Sequence, residues 1–239
     1  MEVSILKDNV LLTIDTSGSG LNKRGYRLAQ GEAPIKETLA ASLIKLANWT
    51  GQTPLIDPFC GSGTIAIEAC LIAQNIAPGF NREFVSEAWH IIPEDLYEKL
   101  RNEADQQADY DKEVEVYAYD IDPDMIEIAK RNAAEVGLSD IIQFEVKDVN
   151  TLTIHREEPM ALIGNPPYGE RIGDREEVET MYRYIGKLMA QHPFLSTYIL
   201  TSNKEFEFLA NRKATKRRKL FNGYIECNYY QYWGKKPQY

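Results

Sequence analysis

A rigid, polar and aromatic segment, Asn165-Pro166-Pro167-Tyr168, follows an apolar run at residues 160–164. Two successive prolines force extended backbone and carry no N–H group, so the carbonyl of Pro166 projects as a free acceptor. Asn165 adds an amide acceptor beside it, and Tyr168 provides a flat face on which a nucleobase can stack. Two acceptors that converge on one planar NH₂ group can hold it and turn its lone pair towards an incoming carbon. The segment therefore predicts chemistry at an exocyclic amine, with Asn165, Pro166 and Tyr168 as catalytic residues.

A second candidate is the glycine loop, residues 57–63, with the sequence DPFCGSG. Gly61 and Gly63 let the backbone pass close to a ligand, and the predicted helix after them offers unpaired N–H groups. The loop matches neither GxGxxG nor GxxxxGK(S/T), and Asp57 would repel a pyrophosphate. It favours a cation instead, such as the amino group of an amino-acid moiety or, through solvent, a sulfonium. A turn that only reverses the chain is the alternative.

Two further acids, Asp120 and Asp148, end strand-like runs. Ligands of an open α/β sheet bind outside the carboxyl ends of its strands, where a carboxylate such as Asp120 can accept both hydroxyls of a ribose. Asp122 is the predicted N-cap of the next helix. Asp148 is either an acceptor for the amine of adenine or a simple turn residue. The predicted cofactor-binding residues are Asp57, Phe59, Gly61, Gly63, Thr64, Asp120, Ile121, Asp148 and Asn165.

The elements that position these residues alternate along the chain. Apolar runs rich in β-branched and aromatic residues predict buried strands at 53–57, 113–120, 141–148, 160–165 and 194–201. Apolar residues at helical spacing predict helices at 35–49, 64–77, 94–108, 123–136, 177–191 and 203–211. Residues 216–222 and 224–234 predict a hairpin around Asn222-Gly223. This alternation predicts a Rossmann-like α/β three-layer sandwich, with a mostly parallel seven-stranded sheet and a C-terminal antiparallel hairpin.

The N-terminal segment differs from the rest of the chain. It contains two β-like stretches separated by Lys7-Asp8-Asn9 and a polar, glycine-rich connection. We predict that residues 1–32 form a strand pair and linker, either an edge hairpin or the tail of something larger, and that residues 33–239 form the catalytic domain.

Charge is unevenly distributed in this acidic chain of 239 residues and net charge −9. The segment 212–219 holds six positive and no negative residues, so it can attract nucleic acid locally despite the net charge. A solvated charged stretch is the alternative. The predicted nucleic-acid contacts are Lys23, Arg24, Arg171, Arg212, Lys213, Lys216, Arg217 and Arg218.

Cysteine usage and hydropathy indicate the cellular setting. Cys60, Cys70 and Cys227 are widely spaced and form neither a disulfide framework nor a CxxC metal site, which predicts a reducing, cytoplasmic compartment and no metal. Apolar runs are too short for a membrane span, and a signal-peptide pattern is missing from the first residues. Cys60 is predicted to be a small packing residue rather than a nucleophile.

Taken together, the motifs resemble the class I S-adenosylmethionine-dependent methyltransferases, and specifically the bacterial RlmL-type enzymes that methylate N2 of guanine in 23S ribosomal RNA. The matching stretches are KRGYR at 23–27, PIKETLAASL at 34–43, DPFCGSGTIAIEA at 57–69, AYDIDPDMIEIAKRNA at 118–133, NPPYGERIGD at 165–174 and KRRKLFNGYIEC at 216–227. The resemblance implies S-adenosyl-L-methionine as cofactor and ribosomal RNA as partner. Family members carry an N-terminal THUMP RNA-binding domain, of which residues 1–32 resemble only the exit.

Other functions fit part of the pattern. N6-adenine DNA or RNA methyltransferases and protein-glutamine methyltransferases share the NPPY segment. A module that binds S-adenosylmethionine or RNA without activity is disfavoured by the intact set Asp57, Gly61, Gly63, Asp120 and Asn165. A nicotinamide oxidoreductase is disfavoured because the dinucleotide glycine pattern fails.

Overall fold

The computed structural model describes residues 1–28, 35–168 and 174–236. The strands are β1 (Glu2–Leu6), β2 (Asn9–Thr13), β3 (Leu55–Asp57), β4 (Val116–Asp120), β5 (Ile142–Val146), β6 (Met160–Gly164), β7 (Leu195–Thr201), β8 (Lys216–Asn222) and β9 (Ile225–Tyr232). The α-helices are α1 (Glu37–Ala47), α2 (Thr64–Ala73), α3 (Leu96–Gln106), α4 (Pro123–Ala134), α5 (Asp174–Gln191) and α6 (Phe206–Leu209).

Seven of the described strands form one sheet in the order β5-β4-β3-β6-β7-β9-β8. The strands from β5 to β7 are parallel to their neighbours, whereas β9 is antiparallel to both β7 and β8. From β3 the chain moves first through β4 to β5, and then returns to β6 on the other side of β3. The strand order therefore reverses between β3 and β6, which is where ligands of such sheets bind. The predicted seven-stranded sheet with its antiparallel hairpin is confirmed.

Helices cover both faces of this sheet. Along β6, Leu162 belongs to the core cluster that contains residues of α5, and Ile163 belongs to the cluster that contains residues of α1, α2 and α4. Successive side chains of a strand point to opposite faces, so a strand buried on both faces must be apolar throughout. The result is the predicted three-layer arrangement.

The linker before α1 packs against this α/β body. Tyr26 is buried in the core, and its hydroxyl donates to Glu68 Oε1 of α2 at 3.1 Å. Arg24 pairs with the same carboxylate at 3.3 Å. Glu68 lies in an otherwise apolar helix, so these partners satisfy a charge that would be costly to bury alone. The linker is thus held against the α/β body at Arg24 and Tyr26, and the division of the chain at residue 32 stays a prediction.

Strands β1 and β2 form a separate antiparallel hairpin. Its turn contains Lys7 and Asp8, both with positive φ, and the residues of both strands are exposed. The predicted strand pair and its turn are confirmed.

Candidate active site

The carboxyl ends of β3 and β4 hold the glycine loop by hydrogen bonds. The N–H of Cys60 donates to the Tyr119 carbonyl at 2.8 Å, and the N–H of Gly61 donates to Asp120 Oδ2 at 2.8 Å. Asp57 is the last residue of β3 and Asp120 the last of β4, and the two strands are paired. The structure thus brings together three of the predicted site residues, Asp57, Gly61 and Asp120.

Asp57 is a buried acid with an unused acceptor. Its side chain is 0% exposed, and Oδ1 accepts a hydrogen bond from the N–H of Phe59 at 3.2 Å. Oδ2 is buried and has no hydrogen-bond partner in the described part of the chain. Burial, reinforced by the charge of Asp120, raises the pKa of Asp57 to about 8. Because an unpaired buried carboxylate is unfavourable, a cationic donor at this place would be strongly favoured.

Asp120 fixes two backbone segments and keeps further acceptor capacity. Oδ2 accepts from Gly61, and Oδ1 accepts from the N–H of Asp122 at 3.0 Å. A carboxylate has about four acceptor positions, so further lone pairs remain for hydroxyl donors. Asp122 accepts from the N–H of Asp124 at 2.8 Å, which confirms it as the N-cap of α4. Ile121 is 68% exposed between them and offers an apolar surface to a flat ring.

Glycine suits positions 61 and 63 for different physical reasons. Gly61 has a φ of +50°, and a Cβ built there would meet no atom of the described part of the chain within 4 Å, so that part leaves open space above the loop. Gly63 has a φ of +83°, and its Cβ would lie 3.1 Å from Ala129 Cβ of α4. Gly61 therefore preserves room for a ligand, whereas Gly63 permits close packing of the loop on α4.

The other predicted cofactor residues make contacts within the fold. Asp148 Oδ1 accepts from the N–H of Asn150 at 2.8 Å, at the start of a 3₁₀ turn. This hydrogen bond agrees with the interpretation of Asp148 as a turn residue. Thr64 is buried at the start of α2, where its hydroxyl accepts from Arg27 at 2.8 Å. Phe59 reaches β6, because a Cβ on Gly164 would lie 2.9 Å from Phe59 Cδ2.

That contact joins the glycine loop to the NPPY segment, since Asn165 directly follows Gly164. Asn165 Oδ1 accepts a hydrogen bond from the Tyr168 hydroxyl at 2.7 Å. The Tyr168 oxygen in turn accepts from Asn222 Nδ2, at the end of β8, at 3.2 Å. Tyr168 is partly buried against the core, and burial raises the pKa of its hydroxyl. Whether its ring also stacks on a base stays a prediction.

A side chain that the sequence analysis did not single out, Tyr182, forms a hydrogen bond to the diproline. The hydroxyl of Tyr182, fully buried on α5, donates to the Pro167 carbonyl at 3.1 Å and lies 2.8 Å from Thr201 Oγ1 on β7. Tyr182 occurs among apolar residues at helical spacing, so its sequence context indicates only core packing. Asn222 precedes Gly223, so its context indicates only a turn.

The predicted nucleic-acid contacts have different surroundings. Lys216 and Arg218 are exposed on β8, the edge strand, on the face opposite to Arg217, which pairs with Glu207 at 3.5 Å. Lys213 is also exposed, and Arg212 donates to the Met189 carbonyl at 3.0 Å. Strand β8 ends at Asn222, which contacts Tyr168, and Tyr168 contacts Asn165. The basic residues therefore lie on a strand that reaches the NPPY segment.

Three further predicted nucleic-acid contacts, Arg24, Lys23 and Arg171, lie outside β8. The side chain of Arg24 is only 12% exposed and pairs with Glu68, which leaves little of its charge for a phosphate; a contact of Arg24 with nucleic acid stays a prediction. Lys23 is exposed. Arg171 lies outside the described residues.

Two negative findings apply to the described ranges 1–28, 35–168 and 174–236. Within them, His, Cys, Asp and Glu side chains form no group of three or more that could hold a metal ion. The same ranges contain no helix that is long and apolar enough to cross a bilayer.

Comparison with known proteins gives consistent matches. The family described as UPF0020, RMKL-like, methyltransferase domain matches residues 24–231. The chain is 56% identical, over its whole length, to 62% of YpsC of Bacillus subtilis (strain 168), described as a candidate RNA methyltransferase. It is 37% identical over 97% of its length to 34% of the ribosomal RNA large subunit methyltransferase K/L of Vibrio parahaemolyticus serotype O3:K6 (strain RIMD 2210633). The chain thus spans less than two thirds of these relatives.

Solved structures agree with this result. The crystal structure of SMU.472, described as a candidate methyltransferase complexed with S-adenosylhomocysteine, has a TM-score of 0.92 and 45% identity, covering 99% of this chain and 62% of that one. A predicted N6-adenine-specific DNA methylase from Listeria monocytogenes str. 4b F2365 has a TM-score of 0.91 and 53% identity, covering 98% of this chain and 60% of that one.

Proposed function

The chain belongs to the UPF0020 family of RMKL-like methyltransferase domains, whose cofactor is S-adenosyl-L-methionine, and we propose that it methylates N2 of a guanine in 23S ribosomal RNA. The observation that carries this proposal is the junction of Asn165 with the glycine loop through the Gly164–Phe59 contact. This contact links the strand end that bears Asn165 to the loop that follows Asp57, and that loop is bonded to Asp120. Ribosomal RNA as substrate would place the reaction in the cytoplasm.

The residues at the carboxyl ends of β3 and β4, and in the glycine loop, fit this cofactor. Within the described ranges, Asp57 has a buried oxygen without a hydrogen-bond partner, suited to a cationic group, and Gly61 has open space above it. Asp120 keeps acceptor positions suited to ribose hydroxyls, beside the exposed apolar side chain of Ile121. When bound, the cofactor supplies an electrophilic methyl group.

The amine would be held by acceptors of this chain. Asn165 Oδ1 and the Pro166 carbonyl would each accept one N–H of the guanine amino group, which orients its lone pair. Positioning then supplies most of the catalysis, because a reactant held in the right geometry avoids the entropic cost of encounter. A dedicated general base is unnecessary, since the amine becomes acidic once methylated and solvent can take the proton.

Nucleoside mass spectrometry of ribosomal RNA tests the proposed function. Deletion of the gene should remove one N2-methylguanosine from 23S ribosomal RNA, and the wild-type gene, but not an Asn165→Ala variant, should restore it. Assays with tritiated cofactor on ribosomal RNA, DNA and release factor identify the alternatives. Label in N6-methyladenine of DNA, or in a glutamine, would replace the guanine assignment.

The basic edge strand supplies a prediction about RNA affinity. A Lys216→Glu/Arg218→Glu double variant should raise the Kd for RNA at least about tenfold and reduce the salt slope by about two, because each lost phosphate contact removes about one unit. The kcat at saturating RNA should change less than about twofold. Lys130→Glu/Lys187→Glu makes the same charge change on exposed helical positions. Equal weakening by both variants would assign the effect to net charge alone.

The two loop glycines should respond differently to alanine. Gly61→Ala should weaken cofactor binding at least about tenfold while costing about 1 kcal/mol of stability, because it fills ligand space at a positive φ. Gly63→Ala should cost about 2–3 kcal/mol, since strain adds to its contact with Ala129. Calorimetric titration and urea unfolding measure the two quantities. Equal stability losses would contradict the distinction between the glycines.

Cys60 should be dispensable for catalysis. The residue is 6% exposed, and burial raises the pKa of its thiol far above the usual range, so a thiolate nucleophile is disfavoured. Cys60→Ala should therefore keep kcat within about threefold of wild type, because positioning rather than covalent chemistry drives the reaction. A loss of more than a hundredfold in a folded variant, measured by methyl transfer, would instead indicate covalent catalysis.

A further inference from the structure

The Tyr168 hydroxyl lies between two amides, and its proton can serve only one of them. It is 2.7 Å from Asn165 Oδ1 and 3.2 Å from Asn222 Nδ2. An amide NH₂ donates and does not accept, so the Tyr168 oxygen is the acceptor for Asn222. The Cys227 thiol is a further neighbour of this hydroxyl, and it donates to the Ile225 carbonyl at 3.7 Å. The single proton of Tyr168 is directed to Asn165, whose oxygen lies within a short hydrogen bond. We call this chain of contacts, Asn222–Tyr168–Asn165, the amide relay.

The amide relay determines which atom Asn165 offers to a substrate. A carbonyl oxygen has two lone pairs, so Asn165 Oδ1 can accept from Tyr168 and from a substrate amine together. Without the hydroxyl, the amide could rotate and present its NH₂ group, which cannot accept from an amine. The proton from Tyr168 thus holds the acceptor in place.

The position of Asn222 in the C-terminal hairpin explains how it reaches Tyr168. It is the last residue of β8, paired with Ile225 across the hairpin turn, and it is partly buried. Tyr168 packs against the core cluster that includes Cys227 and Leu220 of the same hairpin, so its ring is held independently of its hydroxyl. The strand that bears the exposed basic residues therefore also reaches the NPPY segment.

We propose that Asn222 is a positioning residue for amine methylation, which orients the acceptor of Asn165 through the Tyr168 hydroxyl. This inference rests on the proposed function, because it assigns Asn165 the role of amine acceptor. Asn222 would not itself touch the substrate. Its contribution should therefore appear in kcat and depend entirely on the presence of the hydroxyl.

A double-mutant cycle tests this dependence. Asn222→Asp replaces a donor by an acceptor of the same size, so the hydroxyl proton is drawn away from Asn165. With saturating RNA, we expect kcat to fall about tenfold or more while the Kd for S-adenosylmethionine stays within about twofold. In a Tyr168→Phe background, the same change should have less than about a twofold effect, because the link is already absent. Asn228→Asp, which places the same charge on β9, should leave kcat unchanged.

The outcomes separate the two proposals. An Asn222→Asp loss of equal size with and without the Tyr168 hydroxyl, or no loss at all, would overturn the amide relay. If wild-type enzyme modifies DNA or release factor instead, the cycle is measured on that substrate, and only the guanine assignment fails. The side-chain amide NMR signal of Asn165 gives a readout independent of turnover. It should shift with Asn222→Asp in the parent chain but not in the Tyr168→Phe chain, and an unchanged signal in both would also overturn the relay.

Discussion

Asn165→Ala is expected to lower kcat by about 10²–10³-fold while the Kd for S-adenosylmethionine changes less than about twofold. The amide lies at the carboxyl end of β6, and its oxygen is already oriented by Tyr168. Its removal deletes an acceptor that orients the amine in the transition state. Cofactor binding would rest on Asp57, Gly61 and Asp120 and should be unaffected. Single-turnover methyl transfer and calorimetric titration give the two quantities separately.

Asn165→Asp is the matched control for this change. A carboxylate keeps an acceptor at the same place and can still accept from Tyr168, so activity should exceed that of Asn165→Ala at least about tenfold. Equal losses of kcat and cofactor affinity in the alanine variant would contradict the assigned role. They would indicate that Asn165 acts mainly as a cofactor-binding residue, the other role that its sequence position predicts.

Asp57→Asn is the second change with a large expected effect, and it should act in opposite directions on binding and on stability. The variant keeps an oxygen for the N–H of Phe59 but loses the carboxylate charge, so the Kd for S-adenosylmethionine should rise about a hundredfold. Without the buried, unpaired carboxylate, the unliganded protein should gain about 1–3 kcal/mol at pH 8.5. Calorimetric titration and urea unfolding measure these effects, and Asp140→Asn, which removes an exposed acid between α4 and β5, is the control.

The pH dependence follows from the raised pKa of Asp57. Its ordinary value is 3.8 and its value in the fold is about 8, so between these limits the folded state binds more protons than the unfolded state. Stability is therefore fully present below about pH 4 and falls as pH rises towards 8. The gain from Asp57→Asn should accordingly be small at pH 5 and largest above pH 8. Affinity of the wild type for the cation should rise with pH over the same window, with proton release detected by calorimetry in two buffers. A gain that is independent of pH would contradict the ionisation of Asp57.

Much of the fold is predictable because secondary structure depends on neighbouring residues. The continuous apolar run of β6 predicts a strand buried on both faces, and Leu162 and Ile163 do face opposite core clusters. Asp122 caps α4 through a bond to a residue two positions away. Several observed elements are shorter than the predicted ones, as with α3 at Leu96–Gln106 against 94–108, because end residues lack full hydrogen bonding. Helix α5 is longer than predicted, since it begins at Asp174 and not at residue 177.

Partners distant in the chain were harder to predict. Arg24 has the composition of a phosphate contact, yet it pairs with Glu68, 44 residues away. Which charge meets which partner depends on how the linker crosses α2, and local pattern contains no information about that crossing.

By itself, the sequence determined which residues end the strands and what chemistry they could perform: Asp57, Asp120 and Asn165 each follow an apolar run, and short-range sterics make those runs strands. Only the tertiary structure decided how these groups are oriented. The order of strands brings Asn222 to Tyr168 across 54 residues, and one buried oxygen of Asp57 receives no donor from the residues that the structure describes. Both depend on the packing of separate elements, whose geometry arises from the whole core rather than from any local segment.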